Sequence, residues 1–196
     1  MTQEPQEPQE SQDPQPARRA DAQQNRARIL AVARDALARS GDVTLNSIAK
    51  EAGVGQGTLY RHFPTREALV LAVYRHDVGE LVDSAAALLS QQEPWQALQL
   101  WFDQLAAFGR VKHGLADALD AATRSNLSAE HYQPVVDAID RLLHACRQAG
   151  LVRTDVEAPD VLLLVGFLWR TDWGHDPDQR AQRLLRIALD GLRTGR

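Results

Sequence analysis

The sequence predicts an all-α protein of nine helices, on three observations. Ala and Leu, both strong helix formers, are its commonest residues, at 29 and 26 of 196. Apolar residues recur at three- and four-residue spacing along most of the chain, and no stretch sustains the period-two alternation of a half-buried strand. Aromatic residues, which favour strands, amount to only 6%.

The elements follow in order. Residues 1–17 repeat Gln, Glu and Pro, and residues 1–20 as a whole hold too little apolar surface to offset the entropy of ordering. They are expected to form a disordered acidic tail. From Asp21 the stripe Ile29, Leu30, Ala33, Ala36, Leu37 makes a first helix, stopped at Ser40-Gly41. Thr44 caps a short second helix through Leu45, Ile48, Ala49 and Ala52, which Gly53 ends. A third runs from Gln56 to His62. After Phe63-Pro64, Thr65 caps a long fourth helix, about 66–89, with Glu67 at the positive end of its dipole. Pro94 opens the fifth, on Trp95, Leu98, Trp101, Phe102, Leu105 and Phe108. A short sixth is expected around 115–122. Ser128 opens the seventh, on Tyr132, Val136, Ile139, Leu143 and Cys146, closed by Gly150. Pro159 precedes an apolar eighth, about 160–171, and the ninth covers about 177–193.

Charge and composition exclude several classes. The longest apolar run, Val161 to Trp169, is far below the roughly 20 residues of a membrane span. The polar, acidic N-terminus does not resemble a signal or transit peptide, and Cys146 is the single cysteine, so no intramolecular disulfide forms. A cytoplasmic protein is expected. The net charge of −4 argues against a polybasic nucleic-acid coat, but it is unevenly distributed. Residues 18–63 hold eight cations against four acids, whereas residues 1–17 and 64–196 each carry −4.

That basic segment contains the motif that carries chemistry, TLNSIAKEAGVGQGTLYRH over 44–62. Two short helices joined by a tight Gly turn are the parts of a helix-turn-helix, and they also occur as a plain helical hairpin. Leu45, Ile48, Ala49, Val54, Leu59 and Phe63 would pack the pair, leaving Gln56, Thr58, Tyr60, Arg61 and His62 outward. A helix with that polar outer face can enter a major groove, and the local positive charge favours phosphate contacts. An Arg18-Arg19 arm reaching the minor groove and a solvated charge pair are equally good readings of those two residues.

The run from Ile29 through Leu71, with its ordered set TLNSIAKEAGVGQGTLYRHFPTREALV, resembles the DNA-binding domain of the TetR family of bacterial transcriptional regulators. Trp95/Leu98, Gly150 with Val152-Arg153, Asp160, and Leu184/Leu185 with Gly191-Leu192 resemble the subgroup with an SbtR-like C-terminal domain. The resemblance implies a DNA-binding domain over 21–66 and a ligand-binding and dimerisation domain over 67–196. It implies that helix 56–62 is the recognition helix, with Gly57 in its first turn, that Tyr60 and His62 hold phosphates, and that Thr44, Thr65 and Arg66 contact the DNA backbone. Gln56 stands where Lys is common in the family; since Gln can bond adenine through two hydrogen bonds, it is the leading base reader. Arg61 is next, and Thr58 could touch a thymine methyl. Gly55 replaces the usual Ser or Thr and loses a side-chain cap.

The family also implies a homodimer through its last two helices. Leu162, Val165, Trp169, Leu184, Leu185, Ala188, Leu189 and Leu192 are the expected interface, with a buried monomer-core helix the alternative for 160–171. Trp95, Trp101, Phe102, Phe108 and Tyr132 could line an effector pocket or simply fill the core, with His76, His113, Asp117 and Arg124 as polar candidates. His113/Asp117 and the group Asp172, His175, Asp176, Asp178 make poor metal sites, and neither a catalytic constellation nor a cofactor loop is present. The expected function is a ligand-responsive repressor on a palindromic DNA operator. A helical small-molecule-binding or enzymatic protein with a structural hairpin is the alternative.

Overall fold

A computed structural model describes residues 15–39, 43–116, 121–169 and 177–194. The expected tail up to residue 14, the Ser40-Gly41 stop, Asp117 and Asp172, His175 and Asp176 lie outside these residues. So do the side chains of Arg18, Arg19, His113, Arg124, Trp169 and Asp178.

Among the described residues there are eight α-helices and one 3-10 turn, with no strand. They are α1 (Gln15–Arg39), α2 (Leu45–Glu51), α3 (Gln56–His62), α4 (Arg66–Gln91), α5 (Pro94–Ala116), α6 (Ala121–Gln148), α7 (Ala158–Leu164), the 3-10 turn Val165–Trp169, and α8 (Pro177–Leu192). The all-α class holds, with three differences in detail. First, α1 begins at Gln15, so residues 15–20, assigned above to the tail, are helical. Second, the described residues of 115–122 belong to the neighbouring helices: α5 continues through Gly114 to Ala116, and α6 starts at Ala121 and carries Pro134 in its interior. One helical Gly costs only about 1 kcal/mol, which the packing of a long amphipathic helix outweighs. Third, the expected helix 160–171 is α-helical only to Leu164 and then tightens into 3-10 geometry at Val165 and Gly166.

Two glycines end helices in the same way. Gly53 and Gly150 both have positive φ, 64° and 68°. After each, the next residue donates back into the helix, Val54 N–H to Ala49 O at 3.0 Å and Leu151 N–H to Cys146 O at 2.9 Å. Both are Schellman stops, which an L side chain would strain. The first makes the turn of the helix-turn-helix. The second frees the chain to form an isolated antiparallel bridge between Val152 and Arg193, with Arg153 N–H bonded to Leu192 O at 2.9 Å.

Burial divides the protein into a head and a body. Ile29, Leu30, Ala33 and Leu37 of α1, Ile48 and Ala49 of α2, Leu59 of α3, Phe63, and Leu69 to Val78 of α4 make the head core. Leu81 and Ala85 of α4 join α5, α6, α7 and α8 in the body core. The 26 residues of α4 therefore form a strut that runs through both, and Val82, Phe108 and Val135 pack against both cores.

Most of the residues expected at the dimer face take part in the chain's own core. Val165, Leu185, Ala188, Leu189 and Leu192 are buried within their own chain, and Leu162 packs against the same core. Among the described residues of α7 and α8, the exposed large apolar side chains are Leu163 (74% exposed), Leu164 (52%), Leu184 (37%) and Ile187 (67%). An amphipathic helix must first cover its own domain, and α8 spends its broad apolar stripe there.

Candidate nucleic-acid interface and effector cavity

The motif over 44–62 folds as a helix-turn-helix. Thr44 is the N-cap of α2: its Oγ1 accepts from Ser47 N–H at 3.2 Å, while Ser47 Oγ donates to the Thr44 carbonyl at 2.8 Å. Thr65 caps α4 likewise, accepting from Ala68 N–H at 3.1 Å. Glu67 follows in the first turn of α4; its own backbone N–H and the Thr65 hydroxyl hold its carboxyl below the ordinary range. Gly55 caps α3 without a side chain.

The expected contact residues fall on two sides of α3. Gln56, Gly57 and Tyr60 are exposed. Tyr60 hydroxyl reaches Asn46 Oδ1 at 3.4 Å, which braces α3 against the first turn of α2. Thr58 and His62 are half-buried and, with Arg61, border a concavity against Asp21, Ala22 and Asn25 of α1. Arg61 donates to Thr58 Oγ1 at 3.4 Å, so the hydroxyl is engaged locally and the methyl is less available than an outward position would make it. Arg66 is half-buried and its Nε donates to the Val43 carbonyl at 3.3 Å, tying the start of α4 to the residue before the α2 cap.

Pairing refines the charge argument. Arg39 bonds Glu51 at 2.8 Å and Arg34 lies near Asp35 and Asp77, so these two of the eight cations are partly neutralised. Arg26 stacks over the Phe63 ring at 5.6 Å. Asn46 and Ser47, not singled out in the sequence, are exposed polar residues in the first turn after the Thr44 cap, and Asn46 accepts from the Tyr60 hydroxyl.

In the body, an apolar cavity of about 310 Å³ lies between α4, α5, α6 and α7. Of the five aromatics expected to line a pocket, Phe108 and Tyr132 do so; Trp101 and Phe102 are fully buried core residues, and Trp95 packs on the core under Arg193. Trp101 Nε1 donates to the Leu81 carbonyl at 2.8 Å, which satisfies its polar atom inside that core. The wall is completed by Tyr74, Val78, Leu105, His131, Val135, Leu162, Leu163 and Gly166. Tyr74 stands at 5.4 Å from both the Phe108 and the His131 rings, edge-on to the latter, and burial pushes its phenol pKa up. Tyr74 and His131 were not singled out in the sequence, since only the tertiary fold brings α4 and α6 together. His76 is elsewhere, 3.6 Å from Glu80.

The residues of the body signature also converge. Arg193 guanidinium covers Trp95 at 4.8 Å, and Val152-Arg153 pairs with Leu192-Arg193 just after the Gly150 stop. The model of an SbtR-like transcriptional regulator C-terminal domain matches residues 93–194, more than half of the chain, and that of the tetR family of bacterial regulatory proteins matches 29–73. The chain belongs to the TetR family of bacterial transcriptional regulators.

Relatives agree with this assignment. The TetR transcriptional regulator SCO0520 from Streptomyces coelicolor is 38% identical, with a TM-score of 0.75, over 87% of this chain and 99% of that one. A TetR transcription regulatory protein from Mycobacterium vanbaalenii is 36% identical, with a TM-score of 0.72, over 90% and 99%. An HTH-type transcriptional regulator from Staphylococcus aureus (strain USA300) is 30% identical over 106 residues, 53% of this chain and 57% of its own length. The chain thus spans little more than half the length of that curated relative. This TetR-family protein is a DNA-binding transcriptional regulator and not an enzyme. No helix among its described residues is long and apolar enough to cross a membrane.

Proposed function

We propose that this regulator is a homodimeric repressor that binds a palindromic operator in the bacterial cytoplasm and responds to a small apolar effector. The observation that carries the reading is the exposed α3 face, with Gln56 and Tyr60 outward and Tyr60 braced on Asn46 of α2. Gln56 reads a base edge, and Tyr60, Thr44, His62, Thr65 and Arg66 hold the backbone. A homodimer supplies two such faces for two half-sites one helical turn apart. The exposed set Leu163, Leu164, Leu184 and Ile187 supports that association.

The cavity supports the effector. Its volume lies at the small end of ligand sites, and its apolar wall carries only phenols and an imidazole for orientation. Tyr74 belongs both to that wall and to the head core, so an occupant acts directly on the strut that carries the DNA-binding head.

A genomic footprint followed by gel shifts on the recovered sites tests the reading. Binding should weaken steeply with salt. Gln56→Ala should relax preference at one base position, whereas Tyr60→Ala combined with Arg66→Ala should weaken all sites alike. Unchanged operator affinity in the double variant would overturn the assignment of the contact face.

A further inference from the structure

A second cavity, of about 700 Å³, opens where α1, α4 and α5 meet, on a different set of walls from the effector cavity save for Phe108. Its floor holds an unusual group. The Asp77 side chain is only 8% exposed, yet its Oδ1 accepts no hydrogen bond from any described residue. The cation facing it, Arg34 Nη1, stands at 3.9 Å, within ion-pair range and beyond hydrogen-bond reach. Removing a carboxylate from water without giving each oxygen a donor is costly, and burial accordingly pushes the Asp77 carboxyl pKa up. The Asp77 carboxylate thus lines an open cavity with one oxygen that no described side chain satisfies.

The rest of the cavity specifies the donor. Glu80 and Asp83 follow Asp77 along α4 at three-residue steps, so the carboxylates rise on one side of the helix by about 4.5 Å per step. Glu80 and Asp83 are exposed at the rim, Glu80 within 3.6 Å of His76 Nε2. Leu81 and Phe108 line the same cavity and give it apolar wall between the charges. A compact metal ion does not suit this arrangement: among the described residues no group of three His, Cys, Asp or Glu side chains could hold one. An alternation of carboxylate and apolar wall suits a chain that alternates ammonium groups with methylene segments.

We propose that this cavity binds an aliphatic polyamine. One ammonium donates to Asp77 Oδ1, a second meets Glu80 or Asp83 at the rim, and the methylenes between them lie on Leu81 and Phe108. The bound ammonium shares Asp77 with Arg34 of α1, so occupancy loosens a contact between the head and the strut. The site stands independently of the apolar effector cavity.

Titration calorimetry of the full chain with spermidine, without DNA and at fixed ionic strength, tests the proposal. Saturable binding of one spermidine per protomer is expected. Asp77→Asn should weaken it at least tenfold, Glu80→Gln several-fold, and the remote exposed variant Glu93→Gln not at all. Melting of Asp77→Asn checks its fold, and because the replacement removes a buried charge the variant should melt no lower than the parent. The proposal is overturned if Asp77→Asn binds spermidine as the parent does. It is equally overturned if butylamine or magnesium at matched ionic strength reproduces the heat, which would reduce the effect to general charge screening.

Discussion

The exposed face of α8 gives the sharpest test of the proposed dimer. Ile187 is 67% exposed in the single chain, and complete burial of an Ile side chain is worth roughly 1.5–3 kcal/mol. Covering the exposed two-thirds therefore contributes about 1–2 kcal/mol per protomer, and a two-fold interface uses the residue twice. Ile187→Ala removes most of that. The dimer should weaken by about 2–4 kcal/mol, or roughly 30-fold to 1,000-fold in dissociation constant. Ala is also the better helix former, so the monomer should melt no lower than the parent.

Sedimentation equilibrium over a wide concentration range reads the change, and operator affinity should fall with it at concentrations where the variant is monomeric. Leu189→Ala is the contrasting variant, two positions along the same helix but only 5% exposed. It should destabilise the fold by about 2–5 kcal/mol and leave the dimerisation of the folded chain nearly unchanged. A dimer constant for Ile187→Ala equal to that of the parent would refute the placing of the α8 outer face in the proposed interface.

Three further outcomes follow from individual sites. Gly55→Ser should stabilise the protein by about 0.5–1 kcal/mol, seen as a calorimetric melting rise of a few degrees, since its φ of −64° suits any residue, an added Cβ meets only Thr58 Oγ1 at 3.9 Å, and a serine hydroxyl would cap α3. Asp77→Asn should stabilise the protein near pH 7. Burial raises the folded-state carboxyl pKa above its unfolded value, so the stability this group contributes is present below the ordinary carboxylate range and lost as pH rises through the folded value. The gain in melting temperature should thus shrink to nothing as pH falls towards 3. Trp101→Phe should cost about 1–3 kcal/mol in urea unfolding, because it removes the buried donor to the Leu81 carbonyl and leaves a space in a fully closed site.

How legible these features were depends on whether their cause is local. Gly53 and Gly150 were readable as stops because a left-handed backbone position is a property of one residue and its two neighbours. Thr44 and Thr65 were readable as caps for the same reason. Ser128 misled, since a single poor helix former has a local cost that α6 recovers through packing along 28 residues. The division of α8 into a core stripe and an outer face was only partly legible. Of the residues expected at the interface, Leu184 lies exposed, as does Ile187, which was not singled out, while Leu185, Ala188, Leu189 and Leu192 are buried in the chain's own core. Nothing in a helix's own sequence says which of its apolar residues the rest of the fold will reach first. The apolar cavity between α4, α5, α6 and α7 was least legible, because Tyr74 and His131 become neighbours only when α4 meets α6.

The same geometry limits how an effector can act. The head and body cores are separate, but α4 enters both, and Phe108 packs against both while lining the effector cavity and the second cavity alike. A 26-residue helix is about 39 Å long, so tilting it by about 5° about its body end displaces the head end by roughly 3 Å. In the proposed two-fold dimer both heads would move, and the spacing of the two α3 helices would change by several ångströms against half-sites about 34 Å apart. An occupant therefore needs only to favour one tilt of α4 over another, by as much as its affinities for the two states differ. Tyr74 and Phe108 are the side chains through which such a preference is felt, because the walls they form are shared with the head core and cannot move alone.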